Sequence, residues 1–400
     1  MSSESQDTGH TATGKMKTAA DLGGVGFLNE TGLTYERLDP SDIPAPDWRQ
    51  LIGKAITPSI FCDPLFVWGL QDLIPDLNIE ALVIRDPMDN DCIVGLWLLT
   101  RGGPLKIAKL EALKSLATPF SPLGVPLISA DAPWRTVETA LTVLGEDCPA
   151  ITLDTMPLDD DLATIIQEVA ARLDLQTRET GRTTRATLRG GRLFDTYAQD
   201  AWSAKRRSKL RRMRKKLDQM GEVTFTVATG PNSTTPGIDA FLGLEASGWK
   251  GEKKTAMASN PRSERFFREV IGSLIEAGGC EIHSLCLNHD PIAMFVMLRQ
   301  REHSWTWKIA YDEAFSALMP GHLLIEDVTL RALSRGDKLV DSCATDDNSL
   351  ADPYWIDRMA VGQLHIALKP GIGHLAMLAA AASDAAHDSA RHAFRRLRRG

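Results

Sequence analysis

The sequence contains no run of about 20 apolar residues, the length a membrane-spanning helix needs. Its first residues, MSSESQDTGHTATGKMKTAADLGG, lack the apolar stretch of a secretory signal. They are expected to form a disordered tail over residues 1–30 of a cytoplasmic protein. The 6 cysteines form no C-x-x-C pair, which points to reduced, buried thiols and not to a disulfide framework. There is no excess of positive charge: the formal net charge is -7, so the chain as a whole is not a nucleic-acid binder. The G-x-S-x-G nucleophile elbow is missing, and no glycine fingerprint for a dinucleotide follows a strand. Gly9 to Lys15, GHTATGK, imitates a phosphate loop, but Met16 stands where a serine or threonine is needed and no strand precedes it. Cys280, His283, Cys286 and His289 lie close in sequence. On a strand, however, the two cysteines would share one face and the two histidines the other, so no metal site is expected.

What is present is an ordinary globular composition, 43% hydrophobic and 24% charged, in a chain long enough for two domains. Alternating patterns predict a hairpin from Ile79–Arg85 and Cys92–Leu99, then a helix at 134–144, a strand at 151–155, a helix at 162–173 and a strand at 184–188. A similar order recurs later. Strand 223–228 and helices 238–249 and 261–277 precede a hairpin of Glu281–Leu287 and Ile292–Gln300. Strand 303–311, helix 320–334 and strands 338–343 and 363–368 follow. The expected organisation is a first unit over 31–190, a basic linker helix over 191–222, a second unit over 223–370 and an Ala/Arg-rich tail over 371–400. Met377, Leu378, Phe394 and Leu397 give that tail some helical amphipathicity. A frayed or surface helix is expected, with a weak membrane or partner contact as the sharper alternative.

Two segments concentrate chemistry. In WTWKIAYDEAFSALMPGHLLIEDVTL, Trp305, Trp307 and Ile309 alternate with Thr306, Lys308 and Ala310 before a connection and a helix opening at Pro320-Gly321. A strand feeding such a helix start exposes backbone N–H groups that favour an anion. An ordinary strand–loop–helix turn reads the same way. In AKRRSKLRRMRKK, nine cations fall between Ala204 and Lys216 with no acid among them, and Leu210, Met213, Leu217 and Met220 form an apolar seam. Such a run is either a solvated linker or a contact for an anion: the phosphates of a CoA thioester, a phosphorylated acceptor, tRNA or an anionic membrane surface. Trp202 stands alone as a nearby aromatic, so tRNA is kept only as an alternative.

WKIAYDEAF…PGHLL, the LEASGWKG stretch at 244–251 and Asp341-Ser342-Cys343-Ala344 together resemble the GNAT-type acyltransferases of the cellulose-biosynthesis acetyltransferase group, which are similar in turn to Fem-type peptidyl transferases. The resemblance is strong over 203–369 and weak over 33–188. It implies an α/β (α+β) fold of two tandem GNAT-like mixed-sheet domains joined by a basic helix, with the first a degenerate copy. It implies an N- or O-acyltransferase using acyl-CoA (acetyl-CoA or longer) and no metal. The acceptor would be a small molecule or glycan precursor, with exopolysaccharide or cellulose production as the pathway. Backbone at Pro320, Gly321, His322 and Leu323 would hold the pyrophosphate, and the strand edge at Lys308, Ile309 and Ala310 the pantetheine. Glu245, Asp312 and Asp341 are the carboxylates inside the matching motifs and Tyr311 a candidate acid for the leaving thiolate, while Asp312 could equally be a turn cap. Trp249 and Lys250 would line the acceptor side, and Arg206, Arg207 and Arg211 would face substrate. A Fem-like transferase using charged tRNA and a non-catalytic GNAT-fold binding or scaffold protein remain as alternatives.

Overall fold

The computed structural model describes residues 26–28, 31–101, 112–344 and 349–397. Most of the tail over 1–30, including Gly9 to Lys15, therefore lies outside the described residues. The fold is mixed α/β, built on one continuous sheet. Its first side is formed by β1 (Gly26–Leu28), β2 (Leu33–Leu38), β3 (Glu80–Asp86), β4 (Cys92–Arg101), β5 (Leu113–Ser115) and β7 (Ala150–Pro157), with β6 (Leu127–Ile128) against β4. The other side is formed by β9 (Val223–Ala228), β10 (Cys280–Leu287), β11 (Asp290–Gln300), β12 (His303–Tyr311) and β13 (Leu339–Asp341).

Between them lie two long strands that change sides. β14 (Asp357–Ala367), from the end of the chain, pairs with β7 of the first half, while β8 (Thr177–Arg189), which closes the first half in sequence, pairs with β13 of the second. β8 and β14 pair with each other, so each half is completed by a strand of the other.

The two halves share one plan. Among the described residues each contains one parallel pairing, β5 with β7 and β12 with β13, bridged by α3 (Pro133–Asp147) and α11 (Pro320–Arg335) respectively. Both helices open on a proline, whose fixed φ suits the first helical position and whose missing N–H costs nothing there. Both parallel ladders are short, ending at Lys114–Thr152 and at Trp305–Asp341. Beyond them the strands part and open a wedge.

The main core joins the halves. α1 (Ala45–Lys54) and α2 (Pro64–Leu73) pack with α7 (Pro231–Ser247), α9 (Pro261–Phe266) and α10 (Gly272–Glu276) in one apolar cluster. The expected 261–277 helix is interrupted by a wide turn at Phe267–Ile271, which lays the Phe267 ring flat between Phe241 (5.0 Å) and Trp307 (6.0 Å). α2 approaches this turn so closely that a Cβ on Gly69 would lie 2.3 Å from Val270 Cγ2 and 3.1 Å from the Phe266 ring. Gly69→Val should therefore wedge the halves apart and cost about 1–3 kcal/mol, the usual range for overpacking. A urea midpoint equal to that of the wild type would refute this tight contact.

The helix expected from residue 371 on is α12 (Ile372–Leu397), which seats Ala376, Met377, Ala380 and Ala381 in buried positions, and Lys114 pairs with Asp384 at 2.7 Å. One expectation is corrected. In the seam of the basic helix α6 (Ala204–Asp218), Leu210, Met213 and Leu217 are buried, but Met220 lies past the helix end and is exposed.

Candidate active site

The wedge between β12 and β13 is the place where the sequence motifs converge. β12 does not alternate strictly. Opposite Val296–Met297 its register skips from Lys308 to Thr306, a bulge at Trp307. A bulge re-aims the neighbouring side chains. Trp305 and Trp307 accordingly join the inter-half core, whereas Ile309 turns to the cluster beneath α11.

The motif GWKG is explained by what it touches. α8 (Trp249–Glu252) follows α7 directly, and Lys250 Nζ donates to the Ile309 carbonyl at 2.7 Å and to Glu245 Oε1 at 2.8 Å. Glu245 is buried, and its Oε2 accepts the Met257 N–H at 2.8 Å. The pair thus ties the turn to the edge of β12. Gly251 has no room for a side chain, since a Cβ would stand 1.8 Å from the Ala246 carbonyl oxygen. Trp249 is 44% exposed with Lys253 Nζ 5.0 Å from its ring centre, and its backbone N–H donates to Glu313 Oε1 at 2.9 Å.

The other motif carboxylates are occupied. Asp312 caps the turn after β12, accepting the Ala314 N–H at 2.9 Å. Asp341 is fully buried in an ion pair with Arg185 of β8 and accepts the Cys343 N–H at 2.9 Å. Tyr311 lies at the surface, 37% exposed.

At the start of α11, Met319 adopts a left-handed conformation (φ 57°) and its carbonyl accepts the N–H groups of His322 (3.0 Å) and Leu323 (3.1 Å). Two of the groups expected to meet a pyrophosphate are thus engaged internally. Pro320 and Gly321 are buried, and a Cβ on Gly321 would touch Leu350 Cδ2 at 3.4 Å. The positive charge at this end comes from α6. Arg214 clamps it to α11 through Asp327 (2.9 Å) and Glu326 (3.4 Å). Arg206 lies over the Tyr354 ring (5.5 Å), and the Tyr354 hydroxyl meets His322 Nδ1 at 3.0 Å. Burial, aided by Lys209 and Arg206, lowers the His322 pKa and so favours the neutral imidazole. Arg207 turns inward to the carbonyls of Ala198, Gln199 and Trp202 that end α5 (Phe194–Ala201). Lys205, Lys209, Arg211, Arg212, Lys215 and Lys216 remain exposed.

Inside the wedge the structure gives Lys308, expected as part of the strand edge, surroundings that no local motif could reveal. Lys308 sits with its ammonium 5.0 Å from the Phe120 ring centre and 5.2 Å from that of Trp307. Phe120 belongs to the first half, and its carbonyl accepts Trp307 Nε1–H at 2.7 Å. The same loop fills the first half's own wedge: Gly124 N–H donates to the Asp154 carbonyl at 3.1 Å, and Leu123 and Val125 are buried. One wedge is plugged, and the other is roofed by the plug.

No curated protein matches the sequence. Residues 204–354 match the family described as acetyltransferase (GNAT) domain. Among solved structures the chain is similar to FemX, with a TM-score of 0.55 at 13% identity, covering 82% of this chain and 96% of that one. It is also similar to a conserved protein of unknown function from Bacteroides thetaiotaomicron, with a TM-score of 0.52 at 12% identity and coverages of 82% and 98%. Residues 204–354 thus match a GNAT-type acetyltransferase domain, and the fold of the chain is similar to that of FemX.

Proposed function

We propose that the chain is an N- or O-acyltransferase that moves an acyl group from acyl-CoA to a small-molecule or glycan-precursor acceptor. We place that acceptor in exopolysaccharide or cellulose production. The observation that carries the reading is the alignment of three features along one path: exposed cations of α6, the start of α11 beside them, and the unpaired edge of β12 leading into the wedge. A donor with phosphates at one end and a thioester at the other suits such a path. Arg206, Lys209 and Arg211 would meet the phosphates, Gly321 and the first turn of α11 would border them, and the β12 edge from Lys308 to Ala310 would hold the amide-bearing arm. Trp249 and Lys250 would flank the acceptor. A bound CoA ester supplies the activated acyl group.

The cations of α6 that the fold leaves exposed favour a second reading, a Fem-like transferase using charged tRNA. Thermal-shift titration with acetyl-CoA, a long-chain acyl-CoA and tRNA separates the two. A CoA ester at a hundred times its Kd should stabilise the protein by about 2.7 kcal/mol. The triple change Arg206→Gln, Lys209→Gln, Arg211→Gln should weaken that binding roughly tenfold or more, equivalent to about 1.4 kcal/mol. Stabilisation by tRNA alone, fading as salt rises, would select the tRNA reading. A response to none of the three would leave a GNAT-fold binding or scaffold protein.

A further inference from the structure

Lys308 is a positioned amine with no assigned partner. Its Nζ makes no hydrogen bond or ion pair with any described residue, while the described carboxylates Glu245 and Asp341 are engaged with other partners. The bulge at Trp307 aims it into the wedge, and the Phe120 and Trp307 rings shield it from water on two sides. The charged groups facing it are Glu245 and Lys250, which are already spent on one another and on the Ile309 carbonyl. Had the lysine been needed for structure, Glu245 would be its natural partner; Lys250 takes that place instead.

We propose that the Lys308 side-chain amine is the proton acceptor for the nucleophile in acyl transfer. The proposal rests on the acyltransferase reading above. The acceptor's nitrogen or oxygen attacks the thioester carbonyl and forms the new bond to carbon, and its proton passes to Lys308 Nζ. The tetrahedral adduct collapses by breaking the carbon–sulfur bond, whose electron pair leaves on sulfur. The thiolate then takes the proton from the Lys308 ammonium, returning the neutral amine. No carboxylate base is required, which fits the commitment of the described carboxylates Glu245, Asp312 and Asp341 to other partners. Burial, with Lys250 adding repulsion and Glu245 opposing it, lowers the Lys308 pKa to about 8. An appreciable neutral fraction therefore exists near neutral pH, where an ordinary lysine has almost none.

Two measurements on the full chain test this. In the first, wild-type protein is labelled with trace acetic anhydride between about pH 6 and 10, and Lys308 is followed by peptide mass spectrometry. Its labelling should reach half-maximum near pH 8. A curve matching exposed lysines, near about pH 10.4, would overturn the proposal. In the second, thiol release from acetyl-CoA is compared for wild type, Lys308→Met and Lys308→Arg, with water and with hydroxylamine as nucleophile. Both variants should lose about 100-fold or more with water, while hydroxylamine, already unprotonated at neutral pH, restores most of the rate. CoA affinity should stay within about twofold in both. Undiminished release with water, or equal losses with both nucleophiles, would refute the role. Wild-type protein that binds no CoA at all would instead sink the acyl-CoA reading. A labelling curve centred near pH 8 would then keep Lys308 as acceptor for another acyl donor, and an ordinary curve would remove both.

Discussion

Arg185→Ala should destabilise the protein by about 3–5 kcal/mol, the usual cost of removing one partner of a buried ion pair. Arg185 and Asp341 have side chains 2% and 1% exposed, and they join β8 to β13 at the seam between the halves. Without the guanidinium, the Asp341 carboxylate keeps one described donor, the Cys343 N–H. Burial already pushes the Asp341 carboxyl pKa up, with Arg185 the chief opposing influence, so the variant's carboxyl would titrate higher still. A carboxyl whose folded pKa exceeds its unfolded value favours the folded state in its protonated form. The penalty in the variant should therefore shrink as pH falls from about 7 toward 4, near the unfolded value. Urea denaturation of both proteins at the two pH values gives the result. The double change Arg185→Met with Asp341→Leu should recover most of the loss, because no charge is left stranded. A single variant within about 1 kcal/mol of wild type would mean that the pair contributes no more than a surface one.

Gly251→Ala should be the most damaging methyl addition in the second half. The new Cβ would fall 1.8 Å from a backbone carbonyl, that of Ala246, and backbone cannot rotate away as a side chain can. The turn must shift, carrying Lys250 off both the Ile309 carbonyl and Glu245. Glu245, buried and then left with the Met257 N–H, becomes a poorly compensated charge. A loss of about 2–4 kcal/mol is expected, combining overpacking with the broken pair. Acyl transfer should fall at least tenfold in whatever fraction stays folded, because the edge of β12 loses its support. Ala at this position with an unchanged melting temperature would show that the turn has slack.

The elements that could be read along the chain were those whose pattern is local. The hairpins around Asp86–Cys92 and Leu287–Asp290, α11 and α6 all stand where apolar spacing and turn residues put them. β8 is longer than its apolar stretch: Thr177–Thr184 is almost entirely polar, because only Arg185 to Leu188 is buried. α1 and α2 are short and punctuated by prolines, which obscures their periodicity. The site was half legible. Glu245, Lys250 and Gly251 are neighbours in sequence and in space, so the motif could be seen before its purpose. Phe120 and Arg185 reach the wedge from far away in the chain, and spacing has no way to announce that. Lys308 was visible only as part of a strand edge, since both the bulge that re-aims it and the rings that dry its surroundings are tertiary.

The exchange of β8 and β14 has a consequence for synthesis. β14 follows β7 by about 200 residues, so the nascent first half waits with one edge of β7 unpaired until β14 emerges. Long-range pairing of this kind folds slowly, and an open strand edge invites association with other chains in the meantime. A fragment ending near residue 190 would carry that edge permanently. The two halves are therefore best regarded as co-dependent in folding, completed together once β14 is available.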